Sequence, residues 1–224
     1  MNDSRTALLV GASGLVGGHC LQNLLDDKVY DKVITLVRRD LGVKHARLEQ
    51  HVIDFDRLSE YSELLKANDV FCCLGTTIKK AGSETAFRKV DFDLPHELAK
   101  IASARGAKQF LLVSSLGADA NSRIFYNRVK GEVEKAVSNV HFDGVQIFRP
   151  SLLLGERAES RLGERIAEKT SRVFSFLFVG KLAKYRPIHA RMVATAMVKV
   201  AKESPHGVNI FESDRIRAMS SQSG

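Results

Sequence analysis

A glycine-rich turn separates the first apolar segment of the chain from its first amphipathic segment. Thr6–Val10 is apolar enough for a buried strand, the run Gly11-Ala-Ser-Gly14-Leu-Val-Gly17 follows directly, and a leucine pattern of helical spacing continues to Leu25. Glycines in this position let the chain turn sharply and approach a pyrophosphate. The N-terminus of the following helix then supplies free amide hydrogens and partial positive charge. The order of strand, glycine turn and helix therefore predicts a dinucleotide-binding unit.

Short apolar segments alternate with amphipathic segments along the rest of the chain. Further strands are predicted at 32–37, 51–53, 69–73, 109–113 and 145–149. One helix is predicted to end near Gly106 and another to span 125–138. Strands that are apolar throughout and separated by helices favour a parallel sheet covered on both faces. We therefore predict an α/β protein with a doubly wound Rossmann sheet and with ligands at the carboxyl ends of its strands.

We expect one domain with two portions. Residues 1–150 form the Rossmann core that binds the dinucleotide, and residues 151–224 form a small C-terminal portion that completes the cofactor and substrate cleft. Within the second portion, the residue pattern predicts helices at 161–178 and 190–201 and a short strand at 207–211.

Composition and charge exclude several classes of protein. The 34 basic and 26 acidic residues give a net charge of +8, but the two signs are interleaved and form no block typical of a nucleic-acid-binding tail. No apolar run approaches the ~18 residues that span a bilayer, and the first residues do not resemble a signal peptide. Cys20, Cys72 and Cys73 offer no metal-binding spacing and suit small core residues in a reducing compartment. We expect a cytoplasmic protein with no membrane or nucleic-acid partner.

Two arginines end the second predicted strand. NAD-specific proteins of this fold usually place Asp or Glu there to bind the ribose hydroxyls, and a carboxylate would repel a 2′-phosphate. Arg38 and Arg39 can instead clamp such a phosphate with paired N–H groups, although a solvated strand end often holds arginine as well. Together with the glycine turn, this pair favours NADP(H) over NAD(H).

Two further strand ends are candidates for cofactor contacts. Asp54-Phe-Asp56 follows the third strand, where an acidic residue can meet the adenine amino group or simply form a turn. Leu74-Gly75-Thr76-Thr77 follows the fourth strand. A glycine there lets the chain pass close to the adenosine ribose and the pyrophosphate, or it belongs to an ordinary strand-to-helix turn.

Tyr126 and Lys130 lie four residues apart on the predicted helix at 125–138 and therefore share one of its faces. The preceding strand ends in Ser114-Ser115. A lysine charge favours the phenolate form of tyrosine, so Tyr126 can exchange a proton with a carbonyl or alcohol oxygen while a serine hydroxyl binds that oxygen. The set predicts hydride transfer to or from a small carbonyl or alcohol, with Lys130 also holding the nicotinamide ribose.

The chain resembles the atypical, extended-like branch of the short-chain dehydrogenase/reductases, and within it the Tat-interacting-protein oxidoreductase family, which occurs in animals and in bacteria. The resemblance indicates a bacterial-type member. Two strings, Cys-Cys-Leu-Gly-Thr-Thr and Lys-Gly-Glu-Val-Glu, are typical of that family rather than of the fold. The matching segments span nearly the whole chain and are Gly11–Gly14, Val37–Arg39, Phe71–Thr77, Ser114–Asp119, Tyr126–Glu134, Phe148–Pro150 and Glu159–Arg161.

The resemblance implies a role for individual residues around NADPH. The residues implied are Ser13, Gly14, Leu15 and Val16 at the phosphates, Arg38 and Arg39 at the 2′-phosphate, Leu74 and Gly75 on the adenosine side, Tyr126 and Lys130 at the nicotinamide end, and Leu153 and Arg161 closing over the cofactor. Ser115 matches the catalytic serine of the wider superfamily better than Ser114 does, although either hydroxyl remains a candidate.

Three functions fit the sequence. The first is an NADP(H)-dependent oxidoreductase in which Ser115, Tyr126 and Lys130 act on a small-molecule substrate. The second is an NADPH-binding regulatory or scaffold protein, in which cofactor occupancy controls a protein partner or a homodimer. The third is an epimerase or dehydratase that uses the cofactor catalytically, although the short C-terminal portion leaves little room for a nucleotide-sugar pocket. The sequence does not identify the substrate.

Overall fold

The computed structural model describes residues 5–155 and 180–221, and a parallel sheet runs through its centre. The strands are β1 Arg5–Val10, β2 Tyr30–Val37, β3 Leu48–Val52, β4 Asp69–Cys72, β5 Gln109–Val113, β6 Gly144–Arg149, β7 Leu153–Leu154, β8 Ile188–His189 and β9 Gly207–Glu212. The helices are α1 Leu15–Asp26, α2 Ile78–Ala81, α3 Glu84–Arg88, α4 Leu94–Ala104, α5 Phe125–Ser138, α6 Ala190–Glu203 and α7 Ser213–Ser221. Two 3-10 segments, Phe55–Leu65 and Gly180–Tyr185, and one π-helical turn, Lys89–Asp93, complete the elements.

The central sheet has the strand order β3-β2-β1-β4-β5-β6-β9, with every neighbouring pair parallel. Chain order reverses direction between β1 and β4, which is the arrangement of a doubly wound Rossmann sheet. The predicted fold class is therefore confirmed. The short strands β7 and β8 form a separate parallel pair.

The central strands are apolar throughout because both faces of the sheet are covered. Leu9 faces a core that α1 and α6 complete, with Leu24 and Val193 among its buried residues. Leu8 faces the opposite core, where Leu98 of α4 is buried beside residues of α5 and of the first 3-10 segment. Each fully buried leucine of this kind contributes about 1.5–3 kcal/mol by leaving water.

The elements differ from the predictions at several places. The third strand spans Leu48–Val52 rather than 51–53, because it is an edge strand whose polar residues Glu49 and His51 hide its pattern. The short strand predicted at 207–211 is β9, which joins the main sheet beside β6. The helix that ends before Gly106 is preceded by the π turn and α3. The helix predicted at 161–178 lies outside the described residues.

A buried polar cluster ties the first strands together at the amino end of the sheet. The Asp69 carboxylate lies 2.6 Å from the Arg5 guanidinium and accepts a hydrogen bond of 2.8 Å from the Tyr30 hydroxyl. Asp69 is fully buried, and burial raises the pKa of its carboxyl even though Arg5 opposes that shift. Because ligands of doubly wound sheets bind at the opposite edge, this cluster serves stability.

Candidate active site

The carboxyl ends of the central strands bring the predicted site residues to one edge of the sheet. Gly11 follows β1, Arg38 follows β2, Cys73 follows β4, Ser114 follows β5 and Pro150 follows β6. The strands are parallel, so these five chain segments leave the sheet on the same side. A crevice at this edge is where open α/β sheets bind their ligands.

The glycine turn leaves no room for side chains at two of its positions. Gly11 has a φ of +91°, and a Cβ there would lie 2.5 Å from the carbonyl carbon and oxygen of Cys73. A Cβ on Gly17 would lie 2.0 Å from the carbonyl oxygen of Gly11. The turn closes with a hydrogen bond of 2.9 Å from the Gly14 amide to the same Gly11 oxygen. The glycines therefore set how closely α1 approaches β1 and β4.

The N-terminus of α1 suits an anionic group. Gly14 is the N-cap residue, and within the described residues no side chain accepts a hydrogen bond from the backbone amides of the first turn. Ser13 and Gly14 are exposed, Leu15 is half-buried, and the Val16 side chain packs into the core while its amide belongs to the open turn. Unsatisfied amides and the positive end of a helix dipole fit a pyrophosphate.

Arg38 and Arg39 are both exposed at the end of β2, and neither makes an ion pair or a hydrogen bond within the described residues. The carboxylate that follows them, Asp40, accepts hydrogen bonds from the Gln50 side chain and the Gly42 amide instead. Two guanidiniums without an internal counter-charge are therefore held one strand away from the glycine turn.

The acidic pair after β3 makes internal contacts. The Asp54 carboxylate accepts a hydrogen bond of 2.9 Å from the Asp56 amide and caps the first 3-10 segment. Asp56 in turn lies 2.6 Å from the Lys89 ammonium. Of the two readings offered by the sequence, the geometry favours the turn for Asp54.

The loop after β4 lies against the predicted catalytic lysine. Leu74 is half-buried and Gly75 is exposed, and a Cβ on Gly75 would lie 3.6 Å from Asp91 Oδ1 and 3.9 Å from Lys130 Nζ. The next amide, that of Thr76, donates a hydrogen bond of 2.9 Å to Asp91 Oδ2. The loop after β4, which is expected to contact the cofactor, and helix α5, which holds the predicted catalytic Lys130, thus meet at the Asp91 carboxylate.

That carboxylate, Asp91, is a functional candidate that the sequence analysis missed. Its Oδ1 lies 2.7 Å from Lys130 Nζ, and the two side chains are 0% and 5% exposed. Burial by itself would lower the pKa of Lys130, but the Asp91 charge, helped by Tyr126, holds that pKa above its ordinary value. The sequence does contain a signal for Asp91: it falls at helical spacing with Phe87, Leu94 and Leu98, so the four residues would share one buried helix face.

Tyr126 and Lys130 share one face of α5, as predicted from their spacing. The Tyr126 ring packs against Phe87 with centroids 5.5 Å apart and a tilt of 44°. Its hydroxyl makes no hydrogen bond within the part of the chain that the structure describes, and the residue is half-buried. A phenol whose ring is packed in this way, and whose oxygen has no hydrogen-bond partner among the described residues, can accept or donate a proton.

The two serines after β5 have different surroundings. The Ser114 hydroxyl donates to the Glu134 carboxylate, whose Oε1 also accepts a hydrogen bond of 3.0 Å from Arg149 Nε. Ser115 Oγ is buried and has no hydrogen-bond partner among the described residues. Ser114 is therefore occupied by an internal network, and Ser115 holds an unused hydroxyl.

Ser115 lines a cleft of about 520 Å³ between the ends of β5 and β6 and the C-terminal portion. Asn127, the neighbour of Tyr126 in the chain, lines the same cleft, and so do Pro150 and Leu152. On the far wall Lys184 Nζ lies 3.0 Å from Glu212 Oε2. The cleft therefore combines apolar surface, an ion pair and an amide, as a pocket for a small polar molecule requires.

The segment after Pro150 returns to the glycine turn. Leu153 lies in β7, is half-buried and packs on the core that includes α1. A Cβ on Gly155 would lie 2.9 Å from Leu15 Cδ1 in the first turn of α1. Leu153 is thus near the predicted phosphate site, while Arg161 lies outside the described residues.

Three observations bear on other classes of site. Within residues 5–155 and 180–221 no group of three metal-binding side chains comes together, and no helix there is long and apolar enough to cross a membrane. Cys20, Cys72 and Cys73 are all free thiols. Burial raises the pKa of the Cys72 thiol to about 12.

Comparisons with protein families and curated sequences show which family the chain belongs to. Residues 11–204 match a family model described as NAD(P)H-binding. Protein HTATIP2 of Rattus norvegicus is 42% identical over 170 residues, which cover 74% of this chain and 70% of that protein. The mitochondrial protein FMP52 of Candida albicans is 33% identical over 208 residues, covering 90% of each.

Solved structures show the same fold at low sequence identity. A UDP-N-acetylglucosamine 4-epimerase from Methanobrevibacter ruminantium superposes with a TM-score of 0.70 at 15% identity, over 93% of this chain and 76% of that one. A short-chain dehydrogenase/reductase superfamily protein from Agrobacterium tumefaciens, with bound NAD, gives 0.68 at 13% identity, over 97% and 81%. At these identities the likeness concerns the fold alone.

Proposed function

This chain belongs to the NAD(P)H-binding family and is similar to HTATIP2 and FMP52. We propose that it is an NADP(H)-dependent oxidoreductase of the atypical short-chain dehydrogenase/reductase type, acting on a small carbonyl or alcohol. The single observation behind the catalytic part is the Ser115 hydroxyl, which is buried and has no hydrogen-bond partner among the described residues, in a residue that lines a cleft at the carboxyl end of β5. A buried hydroxyl without a partner costs free energy, which a substrate oxygen would recover.

NADP(H) rather than NAD(H) is proposed because of the charge at the end of β2. Arg38 and Arg39 are exposed and uncompensated within the described ranges. A 2′-phosphate would supply the missing negative charge and can take paired N–H donors from a guanidinium. The open amides of the first turn of α1, from Leu15 onward, would hold the pyrophosphate, since the Gly14 amide already donates to the Gly11 oxygen.

The proposed reaction divides between the cofactor and this chain. When bound, NADPH would supply the hydride that reduces the carbonyl carbon. Ser115 Oγ binds the carbonyl oxygen and holds it towards Tyr126, and the Tyr126 hydroxyl gives that oxygen a proton as negative charge develops. Lys130, one turn further along the same face of α5, stabilises the phenolate left behind through its positive charge. The product is the alcohol, and the reverse direction uses the same groups.

A second function is favoured by one observation. The Asp91 carboxylate lies 2.7 Å from Lys130 Nζ, so the ammonium already has a buried structural partner besides any part it takes in a reaction. A chain that binds NADPH with little turnover, and whose cofactor occupancy controls a protein partner or a homodimer, would tolerate this arrangement. We rank it below the oxidoreductase because the unused Ser115 hydroxyl has no purpose in it.

We also propose a reducing location for the protein, with the cytoplasm as the first choice. Three free cysteines suit such a compartment, and the proposed small-molecule function needs neither nucleic acid nor membrane. The FMP52 relatives are named as mitochondrial proteins, so the mitochondrion is the alternative.

The proposal is tested by turnover of NADPH across a panel of small aldehydes and ketones. Tyr126→Phe removes only the hydroxyl that donates the proton, and we expect it to lower kcat about 100- to 10,000-fold. Tyr61→Phe, a half-buried tyrosine in the first 3-10 segment, is the matched control and should leave kcat unchanged.

Three outcomes oppose the oxidoreductase. NADPH binding without turnover on any substrate supports the regulatory function instead. Equal activity of the Tyr126→Phe and Tyr61→Phe variants removes Tyr126 from the reaction. Product formation without net consumption of NADPH indicates an epimerase or dehydratase.

A further inference from the structure

The ion pair between Asp91 and Lys130 is almost completely buried. Asp91 is fully buried, and the Lys130 side chain is 5% exposed. A lysine enclosed in this way loses its hydration, which favours the neutral amine unless a negative charge replaces the water. Lys130 therefore depends on its neighbours for its charge.

The neighbours of Lys130 are few. The ionisable groups that act on it are Asp91, Tyr126 on its own helix and Cys72 at the end of β4. Cys72 stays a neutral thiol at neutral pH, because burial raises its pKa to about 12. Within the described residues, Asp91 is therefore the carboxylate that faces the ammonium.

The backbone holds Asp91 in this position from two sides. The π turn Lys89–Asp93 interrupts the helical segment between α3 and α4, and Asp91 lies at its centre. From the loop after β4, the Thr76 amide donates to Oδ2, which leaves Oδ1 for Lys130 Nζ. Gly75 covers the pair, with its hypothetical Cβ 3.6 Å from Oδ1.

We propose that Asp91 is a positioning residue that keeps Lys130 protonated beside Tyr126 and links it to the cofactor loop at Gly75 and Thr76. The inference rests on the proposed function only in giving Lys130 a part in the reaction. The charge state of Lys130 is a property of the folded protein and can be measured without turnover.

The pH dependence of unfolding tests this directly. In the native protein the pair raises the pKa of Lys130, so its stabilisation is fully present below the ordinary lysine value of about 10.4 and is lost above it. In Asp91→Asn, burial without a counter-charge lowers the pKa of Lys130, and the unfolded state then binds more protons than the folded state. The unfolding free energy of the Asp91→Asn variant should therefore rise between pH 6 and pH 10 relative to that of the native protein.

Asp93→Asn is the matched control, since it removes the same charge from the same π turn at an exposed site. We expect the Tm of Asp91→Asn to lie well below that of Asp93→Asn at pH 6 and the gap to shrink by pH 10. The double variant Asp91→Asn/Lys130→Met removes both charges and should show no such pH-dependent gap. A gap that is absent, or constant across this range, overturns the proposal.

A folding failure of Asp91→Asn is also informative. If Asp91→Asn does not fold but the double variant does, the uncompensated Lys130 charge is the cause and the proposal stands. If neither folds, Asp91 serves the Thr76 loop alone and the proposal is wrong. A ¹³C NMR titration of the Lys130 ε-carbon, assigned with Lys130→Met, should show a lower pKa in Asp91→Asn than in Asp93→Asn.

Turnover separates this inference from the proposed function. If the native protein turns over, Asp91→Asn should lower kcat about 100-fold at pH 7, with Asp93→Asn unchanged. If the native protein shows no turnover, the proposed function fails while the unfolding and NMR comparisons still decide the role of Asp91. If turnover is present and the pH-dependent gap is absent, only the inference about Asp91 fails.

Discussion

Replacing Gly17 by alanine tests whether the glycine turn has the tight geometry on which cofactor binding depends. The new Cβ would lie 2.0 Å from the Gly11 carbonyl oxygen and 2.7 Å from its carbonyl carbon. Both are backbone atoms, so no flexible side chain can move aside. Ordinary contact begins at 3.4 Å, so the turn and α1 must separate locally by about 1.4 Å.

This separation affects stability and binding by different amounts. Overpacking of this kind costs about 1–3 kcal/mol of unfolding free energy. If the α1 N-terminus binds the pyrophosphate as proposed, its shift would also remove at least one charge-assisted hydrogen bond, worth about 1.5–3 kcal/mol. We therefore expect NADPH to bind the Gly17→Ala variant about 10- to 150-fold more weakly, measured by isothermal titration calorimetry.

The next residue in the chain provides the control. A Cβ on Gly18 would meet nothing closer than the Ala12 carbonyl oxygen at 3.6 Å, and the position is exposed within α1. Gly18→Ala should leave NADPH affinity unchanged and stabilise the helix by about 0.5–1 kcal/mol, because alanine loses less backbone entropy than glycine. The reasoning is refuted if the Gly17→Ala variant matches Gly18→Ala in both affinity and Tm.

Two further predictions concern ion pairs away from the site. Asp69→Asn removes the buried carboxylate that pairs with the Arg5 guanidinium, which is 19% exposed. We expect the unfolding free energy, measured in urea, to fall by about 3 kcal/mol. A loss below about 1 kcal/mol contradicts a stabilising role for the cluster. At Asp27, burial raises the pKa, but hydrogen bonds from Lys202 and from the Val29 amide outweigh it and hold that pKa below its ordinary value. The stabilisation by the ionised Asp27 carboxylate is therefore present above about pH 4 and is lost as the pH falls further. Asp27→Asn should lower the unfolding free energy by at most about 1 kcal/mol at pH 7 and not at all near pH 2. An equal loss at both pH values contradicts this role for Asp27.

The central sheet could be predicted because each buried strand leaves a signal in its own few residues. Strands buried on both faces, such as β5, are apolar at every position, and α5 begins and ends at the predicted residues 125 and 138. The edge strand β3 lacks this signal because Glu49 and His51 face solvent in part. The place of β9 beside β6 depends on contacts about 60 residues apart, which no local pattern specifies.

The candidate site could be predicted where a motif defines it and not where distant segments meet. The glycine turn and the Tyr126–Lys130 spacing are visible in the sequence, and the structure brings both to the carboxyl edge of the sheet. Asp91 lies 39 positions from Lys130, and its burial depends on a π turn that the sequence pattern does not announce. The different partners of Ser114 and Ser115 likewise depend on where Glu134 lies in space.

The most direct test of the central claim is a calorimetric comparison of NADPH and NADH binding to the native protein and to Arg38→Ala/Arg39→Ala. Arg57→Ala/Arg105→Ala, which removes two surface arginines that already have carboxylate partners, controls for the loss of net charge. We predict that the native protein and the control bind NADPH at least about tenfold more tightly than NADH, because each hydrogen bond to a charged group contributes about 1.5–3 kcal/mol. The Arg38→Ala/Arg39→Ala variant should lose this preference and keep its affinity for NADH. Equal binding of the two cofactors to the native protein would contradict the arginine clamp, and binding of neither would contradict the assignment of this chain as an NADP(H)-dependent enzyme.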